Sequence, residues 1–207
     1  MYRIVKIFNN IEIKGLRAGR LATYIWLSGC NLKCNQCTIK KSSFPYQGLE
    51  LELEGIINSI DYANVTIIGG EPLIHPGIEN LIKAILDKGY FLNVETNGSI
   101  ALLPYMTIKA DVIRNTCIFT VNYRCPSTGM QHKMWNLNLE LLRPVDVIRF
   151  TVYDMDDVNF VRELLHKNST KAVKHIVPAK LGVSVQELND YMLDYQLEDW
   201  CLHIPIL

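Results

Sequence analysis

The sequence predicts an α/β protein whose parallel strands curl into a partial (β/α) barrel, and three observations carry that expectation. Short β-rich runs alternate with stretches of helical period along all 207 residues. No low-complexity linker or internal repeat interrupts the alternation, so residues 1–207 read as one domain. The motifs that carry chemistry fall directly after strands, where folds of parallel strands bind their ligands.

The expected strands are 22–27, 65–68, 91–95, 117–121, 145–152, 172–176 and 200–204, each a short run rich in β-branched or aromatic residues. Between them lie helices with recognisable ends. Pro76 opens a segment with Ile78, Leu81, Ile82, Ile85 and Leu86 on one face, and Gly89 closes it. Met134, Leu137 and Leu141 mark another helix before Pro144. Asp154 caps a third, with Val158, Val161, Leu164 and Leu165 inward. Ser184 and Glu187 form a capping box ahead of Leu188, Tyr191, Met192 and Tyr195. Parallel strands joined by helices need right-handed crossovers, so six or seven such strands make an open or partial barrel.

Composition sets the outer bounds. With 49% hydrophobic residues, 20% charged and a formal net charge of +0, the chain can bury a substantial core. The balance of 21 basic and 21 acidic residues gives no general attraction for nucleic acid. No apolar run approaches the roughly 18 residues of a membrane span. The opening MYRIVKIFNN has no charged-then-apolar leader, so a cytoplasmic protein is expected.

Cys30, Cys34 and Cys37 stand in a CxxxCxxC arrangement just after the first expected strand. Three thiolates on one tight loop can hold three irons of a 4Fe-4S cluster, leaving the fourth iron open to chelate a small molecule. Two other readings compete. A zinc site would need a fourth ligand from Cys117, Cys125, Cys201 or a distant histidine, and a disulfide would need an oxidising compartment. Of the remaining cysteines, Cys117, Cys125 and Cys201 read as small buried fillers, with Cys125, in a loop, the one expected nearest the surface.

Gly69, Gly70, Glu71 and Pro72 follow the second strand, and Glu95, Thr96, Asn97 and Gly98 end the third. Two glycines allow close backbone approach and positive φ, while Pro72 stiffens the exit. Alone, Gly-Gly-Glu-Pro is an ordinary β-to-α turn. One strand after CxxxCxxC, it points to a ligand turn.

In this order the motifs resemble those of the radical S-adenosylmethionine (SAM) superfamily. Ser28 to Cys34, Glu95 to Gly98, and the stretch Asn122-Tyr123-Arg124-Cys125-Pro126-Ser127-Thr128-Gly129-Met130 are similar to the 7-carboxy-7-deazaguanine synthase family, especially its clostridial-type members, and Leu202-His203 echoes that family's terminal strand. The resemblance implies an abbreviated radical SAM barrel, a 4Fe-4S cluster on Cys30, Cys34 and Cys37, and SAM chelated to the open iron. It implies SAM contacts from Gln36, Thr38, Gly69, Gly70, Glu71, Pro72, Glu95, Thr96, Asn97 and Arg124. It further implies an external reductant such as flavodoxin or ferredoxin, a homodimer, and a small heterocyclic substrate. The family's reaction cleaves SAM to a 5'-deoxyadenosyl radical, which takes a hydrogen from 6-carboxy-5,6,7,8-tetrahydropterin. The pterin ring then contracts with loss of ammonia, on the way to queuosine and other deazapurines.

Departures from the family pattern gather on the substrate side. Glu12, Ile13, Lys14 and Gly15 stand where the family has Gln-Gly-Glu-Gly, and only the last glycine matches. Trp26 replaces the family's carboxylate-binding arginine, and Ile68 replaces a threonine that touches substrate. Ile39 replaces the threonine whose hydroxyl binds magnesium in the family, and an alkyl side chain offers a hard cation no oxygen; Thr38 is one place too early. The sequence therefore speaks against both magnesium and the pterin carboxylate. It favours a substrate less anionic at that end, with Lys14 the one residue able to restore a charge. His203 is the remaining candidate substrate contact, while His75, His132, His166 and His175 have no motif around them. Two further classes remain open: an activase acting on a glycyl-radical partner protein, and a degenerate homologue without catalysis.

Overall fold

Among the residues described by the computed structural model, 1–37, 48–108 and 116–204, nine strands form one open mixed sheet. Strands β1 (Tyr2–Ile11), β2 (Leu21–Leu27) and β3 (Leu49–Leu51) precede the short helix α1 (Leu53–Ile57). Then come β4 (Asn64–Gly69), α2 (Ile78–Asp87), β5 (Phe91–Thr96), α3 (Leu103–Met106) and β6 (Cys117–Tyr123). The chain continues through α4 (Leu137–Leu141), β7 (Val147–Val152), α5 (Met155–Lys167), β8 (Val173–Pro178), α6 (Val185–Asp194) and β9 (Trp200–Leu202). The spatial order is β3-β1-β2-β4-β5-β6-β7-β8-β9. From β2 to β9 every pairing is parallel, whereas β1 runs antiparallel to both β2 and β3.

All seven expected strands are present and parallel, with ends shifted by a few residues: β7 starts at Val147, β8 runs on to Pro178, and β9 stops at Leu202. The sheet does not close, and β3 and β9 are its edges. The sequence reading lacked β1 and β3. In β1 the register slips between Ile4 and Lys6, which changes the phase of the alternation partway along and hides its period of two.

One face of the sheet carries the helices and the apolar core. Ile25, Leu27, Val65, Ile67, Leu92, Val94, Phe119, Val121, Ile148 and Phe150 share that core with the buried side of α2, which presents Ile78, Leu81, Ile82, Ile85 and Leu86 as its period foretold. Gly77, in the left-handed region at φ 75°, stands before α2, so the helix starts two residues after Pro76. Its end is a Schellman turn, with Tyr90 N–H bonding the Ile85 carbonyl and Gly89 N–H that of Leu86. Asp154 caps α5 through Asp157 N–H at 2.8 Å, and Ser184 with Glu187 makes the expected box on α6. Two stripes need correction. In α4 the inward residues are Asn138 and Leu139, and Leu137 is exposed because Asn138 turns in to bond Leu102, Gly98 and Ile100. On α6 Tyr195 lies outward, beneath the Arg162 guanidinium at 3.9 Å from its ring.

Because successive side chains alternate, the other face is made of what lies between the core residues: Tyr24 and Trp26, Thr66 and Ile68, Asn93 and Glu95, Thr120 and Asn122, Arg149 and Thr151, and His175. The loop after β1 crosses this inner face. Gly15 sits so close that a Cβ there would lie 2.8 Å from Thr120 Oγ1, and at φ 75° its backbone also favours glycine. Glu12 is buried and takes a fork of bonds from Arg17, both at 2.8 Å, and another from the Thr66 hydroxyl. Arg17 also donates to the carbonyls of Phe91 and Val65, sealing the N-terminal ends of β4 and β5. Glu12 is thus tied into the floor of the barrel.

Candidate active site

The three motifs meet at the C-terminal ends of β2, β4 and β5. Glu71 joins them. Its carboxylate is fully buried, with Oε1 accepting from Leu73 N–H at 3.0 Å and Thr96 Oγ1 at 2.8 Å, and Oε2 from Asn97 N–H at 2.6 Å. Its backbone N–H bonds the Gly29 carbonyl, the residue before Cys30. His75 Nε2 lies 2.6 Å from the Ser28 carbonyl, a second tie between the same two loops. Asn97 Nδ2 in turn reaches Asn31 Oδ1 at 3.1 Å and lies 4.0 Å from Cys30 Sγ. Burial pushes the Glu71 carboxyl above its ordinary range, opposed by these hydrogen bonds and by the Arg124 charge.

Glycine is needed at position 69 for a reason other than the one expected. No positive φ occurs there; instead a Cβ would sit 2.5 Å from the Leu27 carbonyl oxygen, because β4 runs directly against the end of β2. The left-handed residues of the mouth are Gly29 and Gly98, at φ 85° and 81°.

The stretch 122–130 serves as a clamp on the cysteine loop. Asn35, between Cys34 and Cys37, bonds the Thr128 carbonyl through its N–H at 3.0 Å and the Ser127 carbonyl through Nδ2 at 3.3 Å. Ser127 is held by the buried Asp157 of α5, through N–H at 3.0 Å and Oγ at 2.6 Å. Asp157, which the sequence analysis did not single out, therefore supports the cysteines from two contacts away.

All six cysteines are thiols. Cys30 and Cys34 are half-buried, and burial raises both pKa values while the Arg124 charge lowers them. Among the described residues no three His, Cys, Asp or Glu side chains are gathered as a metal-holding group. The donor set nonetheless suits iron and sulfide: three thiols on one loop, the Leu32 N–H at 3.4 Å from Cys30 Sγ, and a guanidinium beside two of them. Cys37 and Gln36 are exposed. Thr38 and Ile39 lie outside the described residues. Cys125 is fully buried and Cys201 exposed, the reverse of their expected order, because the clamp folds Cys125 inward while Cys201 lies on edge strand β9.

The candidate substrate residues divide. Lys14 pairs with Glu95 at 2.8 Å on the inner face, so Glu95 turns away from the knot that Thr96 and Asn97 make with Glu71. Ile13 is exposed at 42%, while Trp26 and Ile68 lie side by side on β2 and β4. His203, just past β9, stacks obliquely on His175 of β8 with ring centroids 4.9 Å apart. Between these histidines and Glu95 stands Arg149 of β7, bonded among the described residues only to neutral oxygens, Asn122 Oδ1 at 3.4 Å and Thr151 Oγ1 at 3.2 Å. Sequence reasoning missed Arg149 and His175. The signal was present for Arg149, since apolar Ile148, Phe150 and Val152 alternate with Arg149 and Thr151.

Comparison with known proteins agrees with this geometry. Residues 24–121 match the Radical SAM superfamily. The 7-carboxy-7-deazaguanine synthase of Clostridium acetobutylicum is 32% identical over 212 residues, covering 99% of this chain and 94% of the relative. That of Methanospirillum hungatei is 28% identical over 200 residues, covering 94% and 80%. The crystal structure of QueE from Escherichia coli superposes with a TM-score of 0.74 at 19% identity, over 100% of this chain and 94% of that one. A likeness at 32% identity that covers 99% of this chain and 94% of the relative makes this chain a member of the 7-carboxy-7-deazaguanine synthase family of radical SAM enzymes.

Proposed function

We propose that the chain abstracts a hydrogen atom from a small heterocycle, with Cys30, Cys34 and Cys37 holding a 4Fe-4S cluster and the turns around Gly69, Gly70, Glu71, Pro72, Thr96 and Asn97, together with Arg124, holding SAM. The observation that carries this reading is the knot that ties Glu71 to Thr96 and Asn97 directly beside the Cys30 sulfur. When bound and reduced by an external donor such as flavodoxin or ferredoxin, the cluster and SAM supply a 5'-deoxyadenosyl radical able to take hydrogen from carbon.

The protein's own part is positional. Glu71 spends its carboxylate on protein donors and so acts as a positioning residue that fixes two turns relative to the cysteine loop. Arg124 keeps positive charge beside Cys30 and Cys34, which favours their thiolates. The inner face below holds the substrate and keeps water from the reacting carbon. Magnesium is not part of the reading, because Ile39 has no oxygen and the Glu12 carboxylate is already bonded to Arg17 and Thr66.

The test is anaerobic reconstitution with iron and sulfide, then addition of SAM and dithionite. Formation of 5'-deoxyadenosine is expected, and supplying 6-carboxy-5,6,7,8-tetrahydropterin then separates a synthase, which contracts its ring, from an enzyme for a less anionic heterocycle. Intact SAM in a sample with a full complement of iron and sulfide overturns the reading.

A further inference from the structure

Among the described residues, five buried side-chain polar atoms have no hydrogen-bond partner: Trp26 Nε1, Arg124 Nε, Arg149 Nε, His175 Nδ1 and His203 Nδ1. Three of them are neighbours. Trp26, Arg149 and His175 lie on the inner face of β2, β7 and β8, and His203 leaves β9 with its ring against His175. Arg124 follows β6 at the mouth, with its charge acting on Cys30, Cys34 and Arg149. Buried polar groups in folded proteins are satisfied as a rule, and Arg149, His175 and His203, neighbours on β7, β8 and just past β9, mark where a ligand can supply missing partners.

The orphans also define that ligand. A guanidinium Nε–H can only donate, so the group that meets it must accept. Charge sharpens the choice. Lys14 pairs at 2.8 Å with Glu95, the one carboxylate among the described residues whose charge acts on Arg149. Arg149 forms no ion pair among the described residues and donates only to amide and hydroxyl oxygens. Glu95 acts on Arg149 through space, but its charge is shared with Lys14, and a largely buried guanidinium with no carboxylate bonded to it is costly unless an anion arrives. The neighbouring histidines add no positive charge of their own near neutral pH, since burial holds both below the ordinary imidazole range, His175 at about 4. They offer neutral ring nitrogens in place of a competing cation.

We propose that Arg149, on β7, is the specificity-determining residue of the substrate site: it binds an anionic group, a carboxylate, at the end of the substrate that faces β7 and β8, with the His175–His203 pair alongside. The inference rests on the functional reading above and deepens it. Trp26 on β2 does not leave the pocket without a guanidinium; the charge stands three strands further along the sheet from β4, on β7. The expected preference for an uncharged substrate end is thereby reversed.

The test measures binding, which needs no turnover. Calorimetry on the reconstituted, SAM-loaded protein compares 6-carboxy-5,6,7,8-tetrahydropterin with tetrahydropterin lacking the carboxylate. The wild type is expected to favour the carboxylated compound by about 30-fold or more, the measure of one charge-assisted pair. Arg149→Gln is expected to erase that preference, and Arg149→Lys to recover part of it. Equal wild-type affinity for the two compounds, or a preference that survives in a folded Arg149→Gln protein, overturns the proposal. Failure of the functional reading is seen separately, as wild-type protein that leaves SAM intact.

Discussion

Glu71 organises the mouth because a buried carboxylate must find several donors, and the donors available are the ends of the two neighbouring loops. The same economy governs His175. It is 7% exposed, lies between His203 and Arg149, and is held near a pKa of about 4 by burial first and by those two groups after it. The sign of the consequence follows from linkage. Above about pH 6.5 the ring is neutral in both folded and unfolded chains and contributes nothing. As pH falls from there toward 4 the unfolded chain takes up a proton that the folded one refuses, so stability drops. Between pH 7 and pH 5 this group is expected to remove about 1 to 2 kcal/mol. Urea unfolding of the wild type and His175→Gln at both pH values checks it: the wild type should lose more stability on acidification, and parallel losses would contradict the assignment.

At the scale of elements, the site is a set of loops pinned by parts of the chain that lie far off in sequence. The clamp runs from Asp157 in α5 through Ser127 and Thr128 to Asn35 between the cysteines. Asp157 also accepts from Tyr153 N–H at 3.0 Å. Asp157→Ala leaves those donors buried without an acceptor, at a cost of about 2 to 4 kcal/mol, and frees the loop that carries Cys34 and Cys37. The expected outcome is a lowered urea midpoint with less iron retained per chain after desalting; unchanged iron retention would show that the clamp does not support the cluster. Much of this scale was legible in the sequence. Helix ends with side-chain caps, such as Asp154 and Ser184–Glu187, are local bonds between near neighbours, and the strands announced themselves by their runs of branched residues. Where a feature depended on distant chain, the reading failed: the bulge in β1 masked its alternation, Leu137 lost its inward place to Asn138, and Cys125 was buried by the clamp.

Across the whole molecule, one sheet separates two chemistries. Its helix-bearing face is an ordinary apolar core, and its inner face is a mostly polar surface crossed by the loop after β1, which the Glu12–Arg17 pair anchors. The cysteine and glycine motifs could be read in order because each occupies a single loop. The constellation of Lys14, Glu95, Arg149, His175 and His203 could not, since it draws on five segments brought together only by strand parity and parallel register. No helix among the described residues is long and apolar enough to cross a membrane. The proposed reaction requires iron with a coordination site open to SAM, and EPR of the dithionite-reduced, anaerobically reconstituted protein tests this most directly. A reduced-cluster signal whose g-values move on addition of SAM, and which is absent in Cys34→Ala, is the predicted result. A signal indifferent to SAM, or no cluster signal in protein that carries iron and sulfide, would contradict it.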